Sequence, residues 1–205
     1  GKGNYLLFLT ADHGVAHASG FLAEHNIPGG SFTDIALATE LNKKIEESFG
    51  IKKGVTSVQN YEVYLDIQNM EKENKDVDAV KKLVMKILKS KEFIANVFET
   101  DKIATETLPE PIKKMVTNGY NEKRSGDIQF ISKAGYLDWN SKGTTHGLWN
   151  PYDAHIPLVW YGWGIKPGKI NRETYMTDIS ATIAGMLQIQ MPSGCVGHVI
   201  TEVMK

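Results

Sequence analysis

Short apolar runs and amphipathic helical stretches alternate along this whole sequence, and that alternation constrains the fold more than any single motif. Tyr5-Leu6-Leu7-Phe8-Leu9-Thr10 is a continuous apolar run that turns polar toward Asp12 and Gly14. Such a run reads as a strand buried on both faces, the habit of parallel sheets. A helix is predicted from about Ser31 to Phe49, with Ser31 as cap and Asp34 three residues on. Ile35, Ala38, Leu41 and Ile45 share one of its faces, and Gly50 stops it. Tyr61 to Ile67 alternates, with Val63, Leu65 and Ile67 facing one way, as in a strand half open to water. Val77, Val80, Val84, Ile87 and Leu88 make the stripe of a second helix. Phe93–Phe98 and Asp127–Ser132 read as strands, with a helix between them opened by Pro109 and ended at Asn118-Gly119. Ile156 to Tyr161 is a second wholly apolar strand, and Thr177 to Leu187 a last helix. The pattern predicts an α/β fold, a mainly parallel sheet flanked by helices. The half-polar strand at Tyr61 marks residues of about 56–98 as a small peripheral α+β layer on one domain spanning 1–205.

Composition removes several classes. Lys and Arg total 23 against 24 Asp and Glu, for a net charge of -1, and 41% of the 205 residues are hydrophobic. A chain this apolar and this balanced collapses, which excludes disorder. No basic surplus exists to neutralise phosphates, which argues against a nucleic-acid partner. The single Cys195 excludes a disulfide scaffold. No apolar run approaches the ~20 residues that span a bilayer, which argues against a membrane partner.

Two short motifs carry metal-type chemistry. Thr10-Ala11-Asp12-His13-Gly14 sits at the end of the first strand, where open α/β sheets bind ligands. Asp12 and His13 offer oxygen and nitrogen suited to zinc, and Gly14 can supply the bend that lets adjacent residues converge. The same residues also read as a turn-capping Asp and a satisfied His. Gly143-Thr144-Thr145-His146-Gly147 has glycines that permit close backbone approach, and reads equally as a plain loop with an exposed His. Asp153 and His155, before the last apolar strand, could support a metal site from behind or serve packing. His17 lies in the same loop as His13, and His25 and His198 read as surface. No phosphate loop, dinucleotide fingerprint, nucleophile elbow or Cys-x-x-Cys pair is present.

Taken together, the strand ending Thr10-Ala11-Asp12-His13-Gly14, the downstream Gly143-Thr144-Thr145-His146-Gly147 and the run Tyr152-Asp153-Ala154-His155-Ile156-Pro157 to Gly162 resemble the alkaline phosphatase superfamily. The match covers roughly 1–30 and 126–205. It is closest to single-chain bacterial alkaline phosphatases and to the nucleotide pyrophosphatase/phosphodiesterases that share their fold. The resemblance implies two Zn²⁺ ions acting on a phosphate-ester substrate, with a Thr or Ser nucleophile and a covalent phosphoryl intermediate. It assigns Asp12 and His13 to the zinc that holds the nucleophile and His146 to the other. It further implies that the nucleophile and remaining ligands precede this stretch, that the chain is the C-terminal half of a periplasmic or secreted enzyme, and that alone it is inactive. A phosphodiesterase and a non-catalytic binding domain are the alternatives. A sheet interrupted in this way would expose an edge, to be hidden by dimerising, by crystal contacts or by a shift of its loops.

Overall fold

In a computed structural model of the chain, which describes residues 1, 3–139 and 142–204, strands and helices alternate as β1 (Leu6–Thr10), α1 (Ser19–Glu24), β2 (Gly30–Phe32), α2 (Asp34–Phe49), β3 (Val55–Gln59) and β4 (Glu62–Leu65). They continue as α3 (Ile67–Lys72), α4 (Val77–Lys89), β5 (Ile94–Glu99), α5 (Glu110–Gly119), β6 (Ile128–Ser132), β7 (Tyr136–Asp138), α6 (Pro151–Ala154), β8 (Leu158–Gly162) and α7 (Thr177–Leu187). The α/β class is as expected. The chain divides into two compact units, one of Gly1–Asp12 with Ile156–Lys205 and one of His13–His155.

In the first unit β1 pairs with β8, antiparallel, from Leu6 opposite Gly162 to Thr10 opposite Leu158. Neither strand is buried on both faces. Leu7, Leu9 and Val159 are each at least half exposed, at 50%, 59% and 50%. An unbroken apolar run reports that a strand is apolar on both faces, not that both faces are covered. The helix of this unit, α7, starts at Thr177 as its periodicity predicts. Its buried Asp178 accepts hydrogen bonds from the backbone N–H groups of Tyr175 and His198, at 2.9 and 2.8 Å. Thr182 Oγ1 accepts a third from Ile200 at 2.9 Å. These bonds tie the C-terminal tail to the helix.

The second unit is built on a four-stranded sheet in the order β3-β4-β6-β5, all antiparallel. A further parallel pair, β2 with β7, is the only parallel pairing among the described residues. The expected mainly parallel sheet is therefore corrected to mixed, mostly antiparallel pairing. The reason is local: β3 and β4 are joined by the two-residue turn Asn60-Tyr61, both at positive φ (53° and 64°), a hairpin geometry that needs no crossover. That turn contains no glycine, so nothing in the sequence announced it or β3. β3, β4 and β5 lie in or at the ends of the 56–98 stretch, and β6 joins them from further along the chain.

Alternation along β6 divides the core. Ile128 and Phe130 join Leu41, Ile45, Val80 and Val84 in a cluster with α2 and α4, while Ile131 joins Phe98, Ile103 and Ile112 on the side of α5. On α2 the buried face is Leu37, Leu41 and Ile45, and Ile35 is 81% exposed. The cap is Thr33, whose Oγ1 accepts the Ala36 N–H at 3.2 Å, and Ser31 belongs to β2. Gly50 ends the helix in the left-handed conformation, φ 71°, as expected.

One carboxyl of this unit is set up for a pH-dependent contribution. The Asp34 N–H donates to Asp138 Oδ1 at 3.2 Å across the β2–β7 junction. Burial, and then the Asp138 carboxylate, push Asp34 up to about 7. Folding thus raises its affinity for a proton, so the stabilisation is complete below pH ~4 and is lost as pH rises to ~7. Because the site is only half-buried, the expected loss is about 1–2 kcal/mol, short of the ~4 kcal/mol of an unscreened shift. Melting temperatures compared at pH 4.5 and 7.5 should show this fall, and Asp34→Asn should flatten it. An identical slope in the variant would remove Asp34 as its source.

Candidate active site

The two motif loops lie 133 residues apart in sequence and meet in the second unit. The imidazole rings of His13 and His146 stack with centroids 3.6 Å apart and planes 9° from parallel. His13 Nδ1 lies 2.6 Å from the Gly14 carbonyl oxygen. A carbonyl only accepts, so Nδ1 is the donor in this contact. A metal-ligating histidine is oriented in this way, with its other nitrogen donating to a backbone carbonyl.

Backbone and buried side chains bring the loops together. The Gly14 N–H donates to the Asp153 carbonyl at 2.6 Å and the Val15 N–H to the Tyr152 carbonyl at 3.0 Å. Thr144 Oγ1 donates to the Ala16 carbonyl at 2.5 Å. Asp153, only 2% exposed, accepts the Leu148 N–H through Oδ2 at 2.6 Å and so fixes the chain two residues after His146. The Tyr152 hydroxyl accepts the Gly135 N–H at 3.1 Å. Gly14 serves here by lacking a side chain: a Cβ at this position would stand 2.2 Å from the Tyr152 carbonyl oxygen.

His13 and His146 are brought together. Asp153 lies behind them and braces the loop of His146 through its backbone. Asp12 is exposed and closes the first unit, one residue before His13 opens the second. His155 is exposed, with its backbone N–H bonded to the Pro151 carbonyl. Among the described residues no group of three or more His, Cys, Asp or Glu side chains is gathered to hold a metal ion. The roles of Thr144 and Tyr152 were not read from the sequence. Both depend on contacts across more than a hundred residues or across a turn, and spacing reports neither. Of the other histidines, His17 and His25 stack on Phe21 at 4.8 and 4.0 Å, a local surface cluster around α1. No described helix is long and apolar enough to cross a membrane.

Comparison with known proteins gives this arrangement its context. No family model matches the chain. The alkaline phosphatase PafA of Elizabethkingia meningoseptica is 49% identical over all 205 residues, which cover 37% of its length. Its crystal structure superposes on the whole chain with a TM-score of 0.94 at 48% identity, the match covering 39% of that chain. A calcium-transporting ATPase of Myroides odoratus is 43% identical and the alkaline phosphatase PhoV of Synechococcus elongatus 41%, with 38% and 37% of their lengths covered. In sequence and in fold the chain is similar to alkaline phosphatases along its whole length, and it resembles the alkaline phosphatase superfamily. The chain spans somewhat over a third of the length of the curated relatives it matches.

Proposed function

We propose that this chain carries part of the metal-handling machinery of a zinc-dependent phosphate monoester hydrolase, and that the nucleophile and the remaining ligands lie outside these 205 residues. The observation that carries the reading is the pairing of His13 with His146. Two near-parallel rings 3.6 Å apart cannot both aim an in-plane lone pair at one ion held ~2.0–2.1 Å from each nitrogen. They suit one ring for each of two ions, as in two-metal sites whose ions lie ~3.5–4 Å apart. His13, with Asp12 beside it in the chain, would hold one zinc and His146 the other. When bound, such ions polarise a phosphoryl oxygen and activate a hydroxyl nucleophile. The part played by this chain is to orient the ligands: Gly14 O fixes the His13 ring, and Asp153 with Thr144 fix the loop of His146.

The names of the relatives favour a phosphatase over a phosphodiesterase or a non-catalytic domain. The relative called an ATPase supports a second reading, in which the bond hydrolysed is the terminal phosphoanhydride of ATP rather than a phosphate ester. A periplasmic or secreted working place belongs to the same proposal and follows the resemblance.

The ligand count gives a direct test. Two or three ligands shared between two ions fall short of the three protein ligands that one catalytic zinc ordinarily has. With excess Zn²⁺ the 205-residue chain is expected to hydrolyse p-nitrophenyl phosphate no faster than its His13→Ala variant. Robust turnover that is lost on His13→Ala would show that the chain holds a complete site and overturn the division proposed here.

The exposed β1–β8 ribbon is the surface through which two copies of the chain should associate. Leu9 pairs with Val159 across the ribbon and Leu7 lies two residues along, and all three are at least half exposed. Light scattering is expected to show a concentration-dependent dimer that Leu9→Lys disperses. A monomer at all concentrations would remove this surface as an interface.

A further inference from the structure

The sheet of the second unit carries a second feature, beside the segment that follows His146. A cavity of about 300 Å³ lies on the face of the sheet toward α5, bounded by α5, the start of β4, β6 and residues 147–149. This is the lower end of the volume range of small-molecule sites. Ile112, Met115, Val116, Ile131 and Leu148 make its walls mainly apolar.

Five of the lining residues carry buried polar atoms without a hydrogen-bond partner among the described residues: the Tyr61 and Ser132 hydroxyls, Thr100 Oγ1, Gln129 Oε1 and Trp149 Nε1. Thr100 is 1% exposed. Gln129 and Ile131 share the face of β6 opposite to Phe130 and its cluster. Buried polar groups are ordinarily satisfied, so five around one cavity are an observation to be explained. Their chemistry is specific. An indole N–H only donates, a side-chain amide offers an acceptor and a donor whose assignment follows the partner, and a hydroxyl does either. No Lys, Arg or His lines the cavity, and its one carboxylate, Glu62, is engaged by the Tyr64 hydroxyl at 2.7 Å and the Gly126 N–H at 3.2 Å. The wall therefore has nothing to hold a phosphate or any other anion. Water would satisfy the polar atoms but leave the apolar walls unfilled.

We propose that this cavity is a binding site for a small, uncharged aromatic molecule with a carboxamide or lactam edge. The Trp149 indole donates to the carbonyl of that edge, the Gln129 amide accepts its N–H, and the ring lies against Ile112, Val116 and Ile131. Trp149 and Leu148 directly follow His146-Gly147, and Asp153 holds the Leu148 N–H. An occupant therefore braces the segment that carries His146, which makes the cavity a regulatory site. The binding itself assumes nothing about phosphate chemistry.

Benzamide is the probe, titrated into the ¹⁵N-labelled 205-residue chain while the four tryptophan indole N–H resonances are followed by NMR. The Trp149 resonance, assigned by its loss in Trp149→Phe, is expected to shift downfield and saturate. Toluene, with the ring but no amide, should bind about tenfold more weakly, and Gln129→Met should weaken benzamide by a similar factor. The toluene comparison uses the unaltered chain and stands whether or not the variant folds. Absence of saturation, equal affinities for toluene and benzamide, or a saturable shift confined to the other indoles would each overturn the proposal.

Discussion

Gly14→Ala is expected to lower the stability of the chain by about 3 kcal/mol and to pull the two histidine loops apart. The new Cβ would stand 2.2 Å from the Tyr152 carbonyl oxygen and 3.1 Å from Asp153 Cα, both backbone atoms. Neither is the end of a flexible side chain, so one strand of the junction must move. Movement stretches the Gly14 N–H···Asp153 O and Val15 N–H···Tyr152 O bonds together. Each contributes about 1 kcal/mol, and overpacking adds about 1–3 kcal/mol. In a chain of this length the melting temperature should fall by about 6–12 °C. Gly168→Ala is the control, since nothing lies within 4 Å of that position. If both variants melt with the parent, the 13–16 and 150–153 segments are not packed as described. The site should be affected as well, because the Gly14 and Val15 N–H bonds, with Thr144 Oγ1 to the Ala16 carbonyl, join the segments that carry His13 and His146.

The motifs were legible because they are local. Asp12, His13 and His146 stand out by residue type beside glycines, and the resemblance they carry is borne out by a match along the whole chain. Elements set by strong periodicity were legible for the same reason: α4, with Val80, Val84 and Leu88 buried, and α7, at its expected bounds. What was hidden depends on partners distant in the chain. The apolar pattern of β1 fits a covered strand and an exposed one equally well, and only pairing and exposure decide. The Asn60-Tyr61 turn has no glycine to mark it, so β3 and the antiparallel sheet were missed. Ser31 and Thr33 are both able caps, and Thr33 caps because Ser31 is committed to β2 beside Leu137. Gly14 was read as a bend, whereas its role is close approach to Tyr152, which no one-dimensional pattern contains.

Zinc is expected to bind the isolated chain with a dissociation constant weaker than about 10 µM, and His13→Ala and His146→Ala should each remove part of that binding and together most of it. Structural zinc sites in small peptides gather four ligands and reach ~10 kcal/mol or more. Among the described residues no cluster of three donors exists, so no such affinity is available here. Two stacked rings each offer one nitrogen, and the stack must open before both can serve one ion. Part of any binding energy is therefore spent on reorganisation, which weakens it further. The ligands bind only when deprotonated, so affinity should rise with pH. Calorimetric titration of the parent, both single variants and the double variant checks this, with His25→Ala as the control for the surface cluster around Phe21. Binding in the nanomolar range would mean that this chain completes a zinc site by itself. Micromolar binding that survives both substitutions would place the metal elsewhere and detach the histidine pair from metal chemistry.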